Sequence, residues 1–284
     1  MKRLFSYLII SLIFVQGLFA QDLISAKELA TVMKDKNVRI ISTRKAADYA
    51  KVHITGAINF DHHTLYKAGA VKSVIKTPAE MAKLFGAKGI SNTNKIVIYG
   101  TGSGKSSGRL YWILKYLGCK DVKILDGHLT SWRAARKPVT KTKPAIKPTT
   151  FTATPVAGYL ASTAYVKSNL KNTKVVIVDN RSKDEYTGVK GETTKKGHIP
   201  GAVFFEFKNV INPTTKKIKS KAELEKMFKD AGITSDKEII LYCESSVRSG
   251  IVFLVLKTIL KYPKVKVYDG AFYEWVAKGN TVVK

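Results

Sequence analysis

Lys95-Ile96-Val97-Ile98-Tyr99-Gly100-Thr101-Gly102-Ser103-Gly104-Lys105-Ser106 and Glu238-Ile239-Ile240-Leu241-Tyr242-Cys243-Glu244-Ser245-Ser246-Val247-Arg248-Ser249 are one pattern written twice: a short apolar run that ends on Tyr and opens into a glycine- or serine-rich turn. Working outward, the same spacing of 143 residues joins Asp126-Gly127 and Trp132 to Asp269-Gly270 and Trp275. Upstream, Val52-His53-Ile54-Thr55-Gly56-Ala57 answers to Gly197-His198-Ile199-Pro200-Gly201-Ala202. Three blocks matched in the same order make the chain an internal repeat, and a repeat of this period fixes the architecture before any single element is assigned.

Each copy alternates helix and strand signals. Ser25-Ala26-Lys27-Glu28, Thr77-Pro78-Ala79-Glu80 and Ser220-Lys221-Ala222-Glu223 each place a hydroxyl residue three before a Glu, which predicts a reciprocally capped helix start. The runs at 38–41, 95–99 and 122–125 in the first copy, and at 175–178 and 238–242 in the second, predict strands. Val175-Val176-Ile177-Val178 and Ile239-Ile240-Leu241 lack polar alternation, as parallel strands covered on both faces require. The expected fold is therefore α/β: two tandem domains, each a mainly parallel sheet with helices on both faces. The expected bounds are 22–135 and 158–284. They are joined by a linker over 136–157, where Pro138, Pro144, Pro148 and Pro155 stand among Lys and Thr without hydrophobic periodicity. The 284-residue chain is long enough for each half to bury its own core.

Met1-Lys2-Arg3, the nearly uncharged run from Leu4 to Phe19 and the small residue Ala20 read as a secretory signal peptide over 1–20. The run is short for a membrane span, so removal is expected, leaving a mature chain without stable membrane insertion, periplasmic or secreted. Lys and Arg number 49 against 21 Asp and Glu, a net charge of +28. The lysines are dispersed through nearly every helix and loop and nothing resembles a groove-reading module, so nucleic acid is not an expected partner. Such a field instead draws small anions or an acidic protein partner. Two cysteines, Cys119 and Cys243, are too few for a disulfide framework. His53, His62, His63, His128 and His198 have no ligand spacing, so neither a metal nor another cofactor is expected.

In parallel α/β sheets ligands gather beyond the carboxyl ends of the strands, so chemistry is expected in the turns after Tyr99 and Tyr242. The two differ in one residue above all: Cys243 stands where the first copy has Gly100. A cysteine between a buried strand and a helix start sits among free backbone N–H groups at the positive end of the helix dipole, which favours thiolate over thiol. Arg248 adds a fixed positive charge. The competing reading is a small buried hydrophobe, the common fate of a lone cysteine.

The order Val178-Asp179-Asn180-Arg181, Glu185-Tyr186, Gly197-His198-Ile199-Pro200-Gly201-Ala202, Tyr242-Cys243 with Arg248-Ser249, and Asp269-Gly270 with Trp275 resembles the rhodanese superfamily across nearly all of the mature chain. The tandem form is similar to the two-domain thiosulfate and 3-mercaptopyruvate sulfurtransferases, in which the first domain is typically inactive, as Gly100 fits. The resemblance implies that the Cys243 thiolate takes the outer sulfur of a small anionic donor as a persulfide and passes it to a thiol or cyanide acceptor. It further implies that the backbone N–H groups of Glu244, Ser245, Ser246, Val247 and Arg248 cradle the anionic sulfur, and that Arg181 contacts the substrate anion. Thiosulfate is the first choice of donor and mercaptopyruvate the second. Three departures stand out: Ser246 replaces a common Gly, an acid occupies position 244 where tandem thiosulfate enzymes place basic residues, and Arg248 replaces their usual Thr.

Other readings compete. Tyr99 to Ser106 is similar to a phosphate-binding loop but lacks its first glycine. Cysteine phosphatases and arsenate reductases also set an arginine after the cysteine, with five residues between rather than the four here. A non-enzymatic persulfide carrier or partner-binding module is the main alternative to an enzyme.

Overall fold

The two apolar runs become the middle strands of two sheets built to one design. The computed structural model describes residues 22–284, so the expected signal peptide lies outside the described residues. The first half runs β1 (Leu23–Ile24), α1 (Ala26–Val32), β2 (Val38–Ser42), α2 (Ala46–Lys51), β3 (His53–Ile54), β4 (Ile58–Asn59), α3 (Pro78–Ala87), β5 (Lys95–Tyr99), α4 (Lys105–Tyr116), β6 (Val122–Leu125), α5 (His128–Ala134) and β7 (Val139–Thr140). The second runs β8 (Leu160–Ala161), α6 (Thr163–Ser168), β9 (Val175–Asp179), α7 (Lys183–Tyr186), β10 (Val203–Phe204), α8 (Lys221–Asp230), β11 (Glu238–Tyr242), α9 (Ser249–Leu254), β12 (Val265–Tyr268) and α10 (Ala271–Ala277). The sheets are ordered β1-β6-β5-β2-β4 and β8-β12-β11-β9-β10, and every pair in them is parallel.

The expected capping boxes form at Ser25, Thr77 and Ser220, where each hydroxyl accepts the N–H of the third helical residue and its Glu returns a bond to the cap. Ser182 closes a fourth at α7, where Ser182-Lys183-Asp184-Glu185 carries the same spacing on a helix only one turn long and without an apolar period.

Side chains alternate along each strand, and here the alternation builds three cores. Ile96 and Ile98 of β5, with Ile239 and Leu241 of β11, face one continuous apolar core shared by both halves. It takes in α3, α4, α8 and α9. Val97 and Tyr99 face a separate core with Trp132 of α5, and Ile240 and Tyr242 face a third with Trp275 of α10. Each sheet therefore lies between helix layers, and the two domains meet through the helices that follow their signature loops.

Those helices come unusually close. A Cβ on Gly108 of α4 would lie 2.4 Å from the Ile251 nitrogen, and one on Gly250 of α9 would lie 2.3 Å from the Gly108 carbonyl oxygen. Backbone on backbone is possible here only because neither residue has a side chain. The contact is reinforced by reciprocal bonds: the Ile75 N–H donates to Asp269 and the Ile218 N–H to Asp126, each 2.9 Å, joining positions that share the repeat spacing. Arg109 adds a buried ion pair of 2.6 Å to Asp269.

The segment 136–157 connects the halves but is not free chain. β7 pairs antiparallel with β3, Phe151 stacks on Phe85, and the Thr154 and Val156 N–H groups donate to the Leu117 and Tyr116 carbonyls. Its prolines interrupt periodicity while leaving enough donors and apolar side chains to lay it along the first domain.

Candidate active site

β11 delivers Cys243 to the carboxyl edge of its sheet, and the following loop turns tightly into α9. Ser246 holds that turn in the left-handed region at φ 56°, the conformation a glycine adopts freely. Its hydroxyl donates to the Tyr268 carbonyl, and this bond helps to hold a serine there. No acceptor among the described residues takes the backbone N–H of Glu244, Ser245, Ser246, Val247 or Arg248. Five donors thus remain free around the cysteine. In the first domain the corresponding loop is partly closed upon itself: the Gly100 N–H donates to His128 Nδ1 at 3.4 Å, and the Gly104 N–H to the Thr101 carbonyl.

Cys243 is fully buried and unbridged, at the end of a strand whose side chains are all but sealed. Above its loop lies a cleft of about 860 Å³ between the domains. The second domain contributes Glu185, Glu244, Ser245, Val247, Arg248 and Tyr273 to its lining; the first contributes Arg44, Lys45, His62, His63 and Lys105.

On the second domain's wall of this cleft the Arg248 guanidinium donates to Glu185 of α7 in a bidentate pair, 2.7 Å on each arm. Burial works against the charge on Arg248, but Glu185 and the neighbouring Cys243 outweigh it and raise its pKa. Burial likewise works to raise Glu185, yet the bonds from Arg248 and Ser182 hold it at about 2. A fixed positive charge therefore stands beside the sulfur with its geometry set by a two-point bond.

Arg181, which the resemblance assigns to the substrate anion, is fully buried and, like Cys243, is not among the residues that line the cleft. Its Nε donates to Asp179 at 3.0 Å, its Nη2 to Asp179 and to the Gly197 carbonyl at 2.6 Å each, and its Nη1 to Glu244 Oε2 at 3.1 Å. The ring of Phe272 covers it at 3.9 Å. Asp179 also accepts from the Tyr242 hydroxyl at 2.6 Å. Arg181 thus acts on the loop from beneath, through Glu244.

His62, on the wall from the first domain, has its pKa lowered to about 3 by burial and by His63 and Arg109, and bonds Tyr66 at 2.6 Å. The sequence reading passed over this wall because it weighed the histidines only as metal ligands. Their place just past β4, at the carboxyl edge of a parallel sheet, was the available signal. Among the described residues no group of three His, Cys, Asp or Glu side chains could hold a metal ion.

A family model described as the rhodanese-like domain matches residues 25–135 and again 162–278. The chain is 31% identical over 271 residues to the thiosulfate sulfurtransferase of Pseudomonas aeruginosa, covering 92% of this chain and 96% of that protein. It is 32% identical over 276 residues to the sulfur carrier protein TtuD of Thermus thermophilus, covering 92% and 94%. Among solved structures, SseA of Escherichia coli, a 3-mercaptopyruvate sulfotransferase, superposes with a TM-score of 0.81 at 26% identity, over 89% of this chain and 99% of that one. With the repeated sheet, the cysteine loop and the matched spans all in place, the chain belongs to the rhodanese-like family and carries that domain twice in tandem.

Proposed function

We propose that this protein is a sulfurtransferase that moves a sulfane sulfur from a small anionic donor, thiosulfate before 3-mercaptopyruvate, through a persulfide on Cys243 to a thiol or cyanide. The observation that carries the reading is a lone cysteine set in a loop with five unclaimed N–H donors and a fixed arginine at its end. The Cys243 thiolate attacks the outer sulfur of thiosulfate, the S–S bond to the sulfonate breaks, and sulfite leaves with the electron pair. The persulfide is anionic, and the free donors from Glu244 to Arg248 together with the Arg248 guanidinium stabilise it. Relatives named for thiosulfate sulfur transfer support this reading.

Incubation with thiosulfate should add one sulfur, about 32 Da, to the intact protein, and the gain should vanish with cyanide or a thiol and be absent from Cys243→Ser. A free thiol that takes up no sulfur from either donor would sink the proposal. The carrier reading has its own support in the T. thermophilus relative. It calls for a persulfide that forms readily but turns over slowly with small acceptors, so single-turnover charging compared with steady-state turnover separates the two. The lysine-rich surface would then serve to meet an acidic protein partner.

Export belongs to the same proposal. The basic start and apolar run at 1–20 support cleavage after Ala20 and a periplasmic or secreted mature protein. No described helix is long and apolar enough to cross a membrane. The N-terminal residue of protein recovered from expressing cells tests this: a mature chain beginning with Met1 would refute cleavage.

A further inference from the structure

Glu244 follows the nucleophile directly. It is 5% exposed, and it lines the cleft. One carboxylate oxygen, Oε2, is held at 3.1 Å by Arg181, which is itself locked by Asp179. The other, Oε1, is buried with no hydrogen-bond partner among the described residues. A buried carboxylate oxygen without a donor is costly and asks for an explanation. Resting on the sulfurtransferase reading, we propose that Glu244 Oε1 is the base that takes the proton of an incoming thiol acceptor, making Glu244 a catalytic residue of the discharge half-reaction and a thiol the acceptor class this site is built for.

The step balances without any outside oxidant or reductant. Glu244 takes the S–H proton, the thiol sulfur attacks the outer sulfur of the Cys243 persulfide, and the S–S bond to Cys243 breaks. Its electron pair stays on Cys243 as the thiolate, while the transferred sulfur leaves on the acceptor as a new persulfide and receives the proton back from Glu244. The acceptor sulfur is oxidised and the Cys243 sulfur reduced. Burial raises the Glu244 pKa against the opposing pull of Arg181, so this carboxylate holds a proton more readily than an exposed one. The groups facing it are Arg181 and Asp179 from the end of β9, Glu185 from α7, Arg248 and Cys243 from its own loop, and Tyr273 of α10, which bonds Glu192. Of these, the two arginines are already claimed by Asp179 and Glu185, which leaves Oε1 as the uncommitted base.

The test charges wild type and Glu244→Gln with thiosulfate, confirms the persulfide by intact mass, removes excess donor, and follows discharge from pH 6.5 to 9.5. One acceptor is a short uncharged cysteine peptide; the other is sulfite, whose attacking dianion has no proton to lose. A thiol of pKa about 8.5 is only about 3% ionised at pH 7, so loss of the base should lower the thiol-to-sulfite rate ratio about 30-fold there. The gap should close above pH 9, where the thiol ionises unaided. A ratio that stays at the wild-type value at every pH, whether both rates fall or neither does, overturns the assignment. Should the Gln variant fail to fold, Glu244→Asp takes its place: a retracted carboxylate should lower the ratio several-fold at pH 7 with the same closure at high pH, and an unchanged ratio again overturns it. Failure of the wild type to charge at all is a separate result, which defeats sulfur transfer itself and this inference with it.

Discussion

Arg181 and Arg248 flank the same loop, yet the structure gives them different work. Arg181 sits between two carboxylates under an aromatic ring, so Arg181→Met should leave Asp179 and Glu244 as uncompensated buried charges. Removal of one partner from such a buried network costs about 3–5 kcal/mol. The expected result is a large fall in the urea midpoint, with little change in the apparent affinity for thiosulfate of whatever protein remains folded. Arg248→Ala should behave in the opposite way: its partner Glu185 lines the cleft with its side chain 17% exposed and can rehydrate from there, while the charge beside the sulfur is lost. Persulfide formation should slow by about 10²–10³-fold, the scale of one lost donor to a developing anion. Arg248→Lys should recover only part of it, because a single ammonium cannot make the two-point bond to Glu185. Cys243 and Arg248 were legible in the sequence since both lie in one short loop after a recognisable strand. The burial of Arg181 was not, because its partners are at 179, 197 and 244, and no local pattern says that all of them converge on one guanidinium.

At the scale of elements, strands and caps were readable because their signals are local: a buried run of β-branched residues, or a hydroxyl three places before a Glu. The meeting of α4 with α9 was not. Gly108 and Gly250 look like ordinary helix-weakening residues in sequence, and only the crossing of the two helices gives them their purpose. Gly250→Ala should therefore destabilise by about 1–3 kcal/mol despite the better helix propensity of alanine, because the new methyl meets backbone that has no room to move. It should also slow sulfur uptake, since α9 begins where the Cys243 loop ends. Gly158→Ala, with nothing within 4 Å of its Cβ position, is the matched control and should be close to neutral in both thermal and chemical unfolding. The connecting segment makes the same point: its prolines marked a boundary in sequence, while the stacking of Phe151 on Phe85 shows that it was also part of the first domain's surface.

For the whole molecule, the duplication leaves two domains with unequal polar interiors. His62 and His128, both from the first domain, are held neutral by burial, with pKa values lowered to about 3 and about 4. Between pH 6.5 and about 4 the unfolded chain binds protons at these two positions that the folded chain refuses. Stability therefore rises with pH through that window and is lost on acidification, by up to about 1.4 kcal/mol per pH unit for each histidine. His128→Asn, which retains an acceptor for the Gly100 N–H and tolerates the left-handed backbone at φ 55°, should flatten the dependence of the urea midpoint on pH between 7 and 4.5. The interdomain contacts share this inequality, for Asp269 has Arg109 and Asp126 pairs with no arginine among the described residues, so the repeat is symmetric in backbone and asymmetric in charge. The complete burial of Cys243 adds a kinetic consequence. A sulfur that nothing the size of water can touch is also out of reach of peroxide and alkylating agents until the domains breathe. Its rate of labelling by iodoacetamide is then a clock for that breathing, in the way that amide exchange times local opening.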